Sequence, residues 1–319
     1  MSDKNKSLNY DIRVSKTIER KMLCETFARL SAFSSISSYR YIGMGSYYFT
    51  DFRLFHRNLV IVDMVSMEWD TGNKPRFHFN RPFNCVEVMF GTSSEIIPDL
   101  SWEKKTILWL DYDSHLDASK LLDIKEFVAK AAPGSLLIVT LAADTKDLEE
   151  QDMTKRLEKI KAVVGRNRVP RDVEEKNLPK WGTAKLYRRI VNDEVYETLA
   201  IRNGGQDSSQ SLQYKQLFNF HYTDGAKMVT TGGLIYNQQQ EKVIDNGLFD
   251  SLNFIRSGEA EYSIERPVLT YKELRYLDSI LPQPLDTEQI LMAQGIPKND
   301  VTSYKELYRY FPTFTEAMS

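Results

Sequence analysis

Three short apolar segments of the sequence end in residues whose types could bind a charged, hydroxylated ligand. Gly43 and Gly45 end the first segment, Glu68 ends the second, and Asp111 and Asp113 follow the third. Glycines allow an anionic group to approach the free N–H groups at the start of a helix, because no Cβ atom blocks the way. Carboxylates accept hydrogen bonds from hydroxyl groups and can act as general bases. These residues would form one site if the fold brings the segment ends together.

The glycine pair lies in the segment Tyr-Ile-Gly-Met-Gly-Ser at residues 41–46, and a helix-like stretch at residues 49–56 follows it. A strand that turns directly into a helix directs its free N–H groups and the positive end of the helix dipole at one point. Ser46 belongs to the same turn and is predicted, with Gly43 and Gly45, to contact a ligand. Because a Gly-x-Gly pair also serves ordinary turns, a purely structural role stays open.

The acid of the second segment has the spacing of a ribose ligand. Residues 64–68 are predicted to form a strand that ends in Glu68, 23 residues after Gly45. An acid at the tip of the second strand, about 20 residues beyond a glycine turn, accepts hydrogen bonds from the ribose hydroxyls of an adenosine. Asp63 is the alternative if the strand instead covers residues 59–62. Either acid could also be a solvated carboxylate at a strand end.

The third acidic group follows residues 106–110, a continuous apolar run typical of a strand that is buried on both faces. Ligands of open α/β sheets bind outside the carboxyl ends of the strands. We therefore predict Asp111 and Asp113 as catalytic residues. A helix N-cap at Asp113 or Ser114 is the structural alternative, and no metal site is predicted.

Small hydroxyl residues follow another predicted strand, at residues 82–90. Residues 91–95 are Gly-Thr-Ser-Ser-Glu, and Ser93 is predicted to contact the edge of an adenine ring. Ser and Thr are equally good N-caps for the helix that would begin near Glu95. Both roles can coexist.

Alternating strands and helices would position these residues. An amphipathic helix over residues 14–30 precedes the first strand, and its charged residues are expected to form a solvated face, with contact to an acidic substrate as the alternative. A helix at 117–131 leads into a strand at 136–141. Asp224-Gly225 between two strand-like runs predicts an antiparallel hairpin, which Gly232 and Gly233 would end. This order predicts a doubly wound α/β sheet with parallel crossovers.

Taken together, the segments at residues 41–46, 91–100 and 108–113 and the acid Glu68 resemble the class I S-adenosylmethionine (SAM)-dependent methyltransferases, and within them a bacterial O-methyltransferase-like group. The resemblance implies a Rossmann-like sheet closed by an antiparallel hairpin, with SAM as cofactor. It places Gly43 and Gly45 at the methionine part of SAM. It also assigns Glu68 to the ribose, Ser93 and its neighbours to adenine, and Asp111 to the cofactor amine, the substrate or a metal.

The sequence departs from the family pattern in three places. Tyr41 stands where an acid commonly precedes the glycine turn, and Ser46 and Tyr47 stand where a third glycine is usual. Asp144-Thr145 is a poor match to the Asp-Asn pair that metal-dependent members carry. The function that the resemblance implies is methyl transfer from SAM to an oxygen or nitrogen of an unidentified substrate. The alternative is a non-catalytic SAM- or nucleotide-binding or assembly subunit of a multi-protein bacterial system.

We predict a helical lead-in at residues 1–39, a methyltransferase-like domain at 40–236 with a helical insertion at 145–210, and a C-terminal helical extension at 237–319. The aromatic-rich end of the extension, residues 304–312, is expected to pack against its own domain or a second subunit.

A net charge of −2 gives no overall attraction to nucleic acid, although such binding stays open. The absence of a long apolar run predicts a cytoplasmic protein without a membrane span.

Overall fold

The computed structural model describes residues 13–144, 156–205, 207–283 and 294–312. These residues form one eight-stranded sheet with the order β3-β2-β1-β4-β5-β7-β6-β8. The strands are β1 Arg40–Gly43, β2 Asp63–Glu68, β3 Val86–Phe90, β4 Thr106–Asp111, β5 Ser135–Ala142, β6 Leu212–Asp224, β7 Ala226–Asn237 and β8 Tyr262–Ile264. The helices are α1 Val14–Arg29, α2 Thr50–Leu59, α3 Lys74–Asn80, α4 Ser93–Ile96, α5 Ala118–Lys130, α6 Arg156–Val164, α7 Gly182–Arg202, α8 Glu241–Gly247, α9 Tyr271–Ile280 and α10 Lys298–Leu307.

Strands β1 to β5 are parallel, and β1 lies between β2 and β4. The chain therefore proceeds outward from β1 in one direction and then in the other, which opens a crevice at the carboxyl ends of β1 and β4. This arrangement confirms the predicted doubly wound α/β sheet.

Side chains that alternate along the central strands supply two separate cores. Tyr41, Trp109 and Ile138 face one core, whereas the adjacent Ile42 and Leu108 face the other. Successive residues of a strand point to opposite faces of a sheet, so a continuous apolar run is buried on both sides. Helices α1, α2 and α8 cover the first face, and α5, α6 and α7 cover the second.

The antiparallel hairpin is confirmed, but its glycines act differently from the prediction. Strand β7 pairs antiparallel with both β5 and β6, and Gly225 turns the chain with a φ of +81°. Gly232 and Gly233 were expected to end the hairpin, and that prediction is wrong because both lie within β7. A Cβ atom at Gly232 would lie 2.1 Å from the carbonyl oxygen of Leu137, and one at Gly233 would lie 2.1 Å from that of Lys215. The neighbouring backbones therefore exclude a side chain at both positions.

The segments predicted as insertion and extension join the main fold. Helix α7 packs on α5 and on strands β6 and β7 and contributes to the second core. Strand β8, which the sequence did not predict, pairs in parallel with β6. Leu307 and Tyr310 belong to the first core, as expected of a packed aromatic tail. The exact domain division stays a prediction. Across the described ranges, every helix is too short or too polar to cross a bilayer.

Candidate active site

A cleft of about 250 Å³ opens at the carboxyl ends of β1 to β4. Small-molecule sites commonly have volumes of roughly 300–1,000 Å³, so the cleft lies just below the lower end of that range. Its lining comprises Arg20, Met44, Gly45, Ser46, Thr50, Met67, Glu68, Trp69, Gly91, Thr92, Ser93, Asp111, Tyr112 and Asp113. The glycine turn and the ends of β2, β3 and β4 therefore meet in one place, as the sequence predicted.

Of the two glycines in the turn, only Gly45 lines the cleft. A Cβ atom at Gly45 would lie 2.6 Å from Phe49 Cδ1 and 2.8 Å from Ser66 Oγ. At Gly43 the added atom would instead lie 2.5 Å from the hydroxyl of Tyr41. The missing side chain at Gly43 therefore makes room for Tyr41, and its predicted contact with a cofactor stays a prediction.

Ser46 lines the cleft in an uncommon backbone conformation, with a φ of +50°. This is the left-handed region, which costs energy for residues other than glycine and which often marks ligand-binding turns. A glycine would adopt this conformation at no steric cost, whereas Ser46 adopts it with a side chain.

Glu68 is buried at the end of β2, and one of its carboxylate oxygens is tied to the glycine turn. Its Oε1 atom accepts hydrogen bonds from the Gly45 backbone N–H, at 2.9 Å, and from the Ser66 hydroxyl, at 2.7 Å. Burial raises the pKa of Glu68 to about 7, and the hydrogen bonds from Ser66 and Gly45 oppose this rise. The alternative Asp63 begins β2 at the opposite end, where it pairs with Arg40 and Lys104. Of the two acids, only Glu68 borders the cleft.

Asp111 forms a partly buried ion pair with α1. The Nζ atom of Lys16 lies 2.5 Å from Asp111 Oδ1, 2.7 Å from Glu19 Oε2 and 4.5 Å from the centre of the Trp109 ring. Glu19 in turn accepts hydrogen bonds from the hydroxyls of Tyr222 and Thr230. Asp111 thus belongs to a polar network that links α1 to the sheet.

This network corrects the expectation that the charged residues of α1 form a solvated face. Lys16, Glu19 and Arg20 are 2%, 0% and 5% exposed. Their charges can be buried because α1 lies against the carboxyl end of the sheet, where carboxylates and hydroxyls are available as partners. The opposite charges of Lys16 and Glu19, three residues apart on one helix face, were the sequence signal that could have indicated the pair.

Asp113 is exposed at the rim of the cleft. The predicted alternative, an N-cap at Asp113 or Ser114, is wrong, because Asp117 caps α5. The Asp117 side chain accepts hydrogen bonds from the backbone N–H groups of Ser119 and Lys120, at 3.0 and 3.1 Å. Asp113 is therefore available for contact with a ligand.

Ser93 lines the cleft, but its hydroxyl is held by a buried acid. It donates to Oδ2 of Asp123 at 2.5 Å, and Ser94 donates to Oδ1 at 2.7 Å. Tyr112 donates to Oδ2 of the same carboxylate at 2.7 Å. Asp123 thus joins the loop after β3 to the end of β4, and no sequence signal marked it. The capping alternative is confirmed one residue earlier, where Thr92 forms a capping box with Glu95.

A family model described as "Putative O-methyltransferase" matches residues 8–319. The chain belongs to this family. Because the match covers nearly the whole sequence, it includes α1, both halves of the sheet and the C-terminal helices. The cofactor of this O-methyltransferase is accordingly SAM, and its methyl acceptor is unidentified.

The chain also has a low similarity to solved methyltransferase structures. A "putative O-methyltransferase from Klebsiella pneumoniae" is 12% identical, with 73% of this chain and 85% of that chain covered and a TM-score of 0.40. The O-methyltransferase TomG from Streptomyces achromogenes, in complex with SAM, is 14% identical, with 69% and 80% covered and a TM-score of 0.39. No curated protein sequence matches the chain significantly.

The residues around the cleft suit the chemical groups of SAM. Glu68, Asp111 and Asp113 make its wall acidic, whereas SAM carries a sulfonium and an ammonium group. Trp69, which is 65% exposed and follows Glu68 directly, offers an aromatic surface beside the acid that would hold the ribose. Further apolar surface comes from Met44, Met67 and Tyr112. Sequence reasoning missed Trp69, although its position directly after Glu68 was a usable signal.

Proposed function

We propose that this O-methyltransferase family member transfers the methyl group of SAM to an oxygen atom of an acceptor that binds at the rim of the cleft. The observation that carries the proposal is that Gly45, Glu68, Asp111 and Asp113 border a single cleft at the switch point of the sheet. When bound, SAM supplies an electrophilic methyl group. The protein contributes binding, alignment and the removal of a proton.

Glu68 would hold the ribose. Its Oε1 atom is engaged by Gly45 and Ser66, and these contacts fix the orientation of the carboxyl group. Hydroxyl donors bind an ionised carboxylate better than a neutral one, so the ligand would favour the ionised form of Glu68. Trp69 and Met67 would contact adenine, and the turn at Gly45 and Ser46 would face the methionine part.

Asp113 is the better placed of the two predicted bases. The Oδ1 atom of Asp111 is already engaged in an ion pair with Lys16, at 2.5 Å. Asp113 is exposed at the rim, where an acceptor hydroxyl could donate its proton to it. Asp111 would instead attract the cationic amine of the cofactor.

Two measurements test this proposal. Calorimetry should detect binding of SAM and of its demethylated product S-adenosylhomocysteine, and a Gly45→Asp variant should lose both. Incubation with radiolabelled methyl-SAM and a panel of phenols, catechols, alcohols and carboxylic acids should label at least one acceptor. Absence of binding would remove the proposal altogether. Binding without transfer to any acceptor would favour the alternative of a non-catalytic SAM-binding subunit.

A further inference from the structure

Arg20 is the one cation among the described residues that line the cleft, whereas three of its neighbours there are acids. It lies on α1, and only 5% of its surface is exposed. A buried guanidinium at the wall of a ligand cleft is costly unless an anion compensates it. Its burial therefore requires anionic neighbours, and the buried carboxylate of Asp51 is one of them.

The surroundings of Arg20 place it beside the glycine turn. The guanidinium acts electrostatically on the buried carboxylate of Asp51 and on the hydroxyl of Tyr41, lowering the pKa of both groups against the effect of burial. Tyr41 donates a hydrogen bond to Asp51. The same hydroxyl occupies the space where a Cβ atom of Gly43 would lie. Arg20, Asp51 and Tyr41 thus form a cluster directly behind the turn.

The chemistry of the ligand matches this position. SAM has a single anionic group, the carboxylate of its methionine part, and the glycine turn is where that part would lie. A guanidinium carries five N–H donors in a planar fork and binds carboxylates through paired hydrogen bonds. It can therefore face Asp51 on one side and a ligand carboxylate on the other.

We infer, on the basis of the proposed function, that Arg20 binds the methionine carboxylate of SAM. The N-terminal helix would then supply a direct ligand contact, as well as the Lys16 pair that orients Asp111. The acid that attracts the amine and the cation that binds the carboxylate would together recognise the amino acid end of the cofactor. Adenosine derivatives that lack this end would not depend on Arg20.

A comparison of two ligands tests the inference without any methyl transfer. S-adenosylhomocysteine retains the amino acid end, whereas methylthioadenosine lacks it. Arg20→Gln should weaken S-adenosylhomocysteine binding by roughly 10–100-fold in calorimetry, the range expected for a charge-assisted paired contact. Methylthioadenosine binding should change by less than about twofold. Arg29→Gln, on the same helix but outside the cleft, is the matched control and should change neither affinity.

Because Arg20→Gln leaves Asp51 buried without its cation, a second variant is needed if the first does not fold. The double variant Arg20→Gln/Asp51→Asn removes both charges and should show the same selective loss. An equal loss of affinity for the two ligands, or no loss for either, would overturn the assignment of Arg20. Binding of S-adenosylhomocysteine by the wild-type protein would still support SAM as the cofactor. If the wild-type protein bound neither ligand, the proposed function and this inference would fall together.

Discussion

The ammonium group of Lys16 lies 2.5 Å from a carboxylate oxygen of Asp111, although the two residues are 95 positions apart in the sequence. This ion pair connects the first described helix to the central strand that ends in the cleft. It makes α1 a part of the site and not only a cover for the sheet. Because Glu19 joins the same network, one buried lysine pairs with a buried acid and with a half-buried one.

We expect Lys16→Met to destabilise the protein by about 3–5 kcal/mol, since removal of one partner leaves buried charge uncompensated. Urea unfolding measures the change. The matched control is Lys161→Met, which removes the more exposed pair with Glu158 and should cost less than about 1 kcal/mol. If the two variants lost equal stability, the Lys16 network would have no special role. Glu19→Gln in the Lys16→Met background should recover part of the loss.

Glu68 should make stability and cofactor affinity respond to pH in opposite directions. Burial raises its pKa to about 7 from an ordinary value near 4.5. The folded state therefore holds the proton more tightly than the unfolded state, and the Glu68 contribution to stability falls as pH rises from about 4.5 to 7. If Glu68 holds the ribose, the hydroxyl groups would bind its ionised form better, so affinity for S-adenosylhomocysteine should rise over the upper part of this range.

Glu68→Gln separates these two effects, because the amide oxygen can still accept the hydrogen bonds from Gly45 and Ser66. The variant should be more stable than wild type at pH 8, by on the order of 1–3 kcal/mol, with the difference vanishing near pH 4. Its affinity for S-adenosylhomocysteine should be lower at pH 8. Urea unfolding and calorimetry at both pH values provide the measurements, and a stability difference that did not vary with pH would contradict the expectation.

The glycines inside β7 should tolerate no side chain. Gly232→Ala would place a methyl group 2.1 Å from a carbonyl oxygen of β5, and strand separation cannot relieve this without loss of pairing. We expect a loss of at least about 1–3 kcal/mol in thermal or urea unfolding. Gly72→Ala is the control, since its nearest neighbour would lie at 3.5 Å. Equal stability of the two variants would be incompatible with the close approach of β5 and β7.

The parts of the site that depend on residue types and spacing along the sequence were predictable. Glu68 and the glycine turn follow from strand-end chemistry and from the rule that parallel strands present their carboxyl ends to a common crevice. The roles of Lys16, Asp123 and Gly232 were not predictable, because each depends on a neighbour distant in sequence. Periodicity shows that α1 has an apolar stripe, but it cannot show that its charged face meets buried acids. Strand β8 was missed because three residues give no measurable period.

Asp113→Asn should separate catalysis from binding. If Asp113 removes the proton of an acceptor hydroxyl, the variant should transfer methyl groups roughly 10²–10⁴-fold more slowly, while its affinity for S-adenosylhomocysteine stays within about twofold of wild type. The rate should recover in part at higher pH with acidic phenols, which ionise without a base. Asp99→Asn, an exposed acid outside the cleft, serves as the control and should leave the rate unchanged. A rate equal to wild type in Asp113→Asn would contradict its role as the base. Among the described residues no other exposed carboxylate lines the cleft. Proton removal would then fall to a different kind of group or to water.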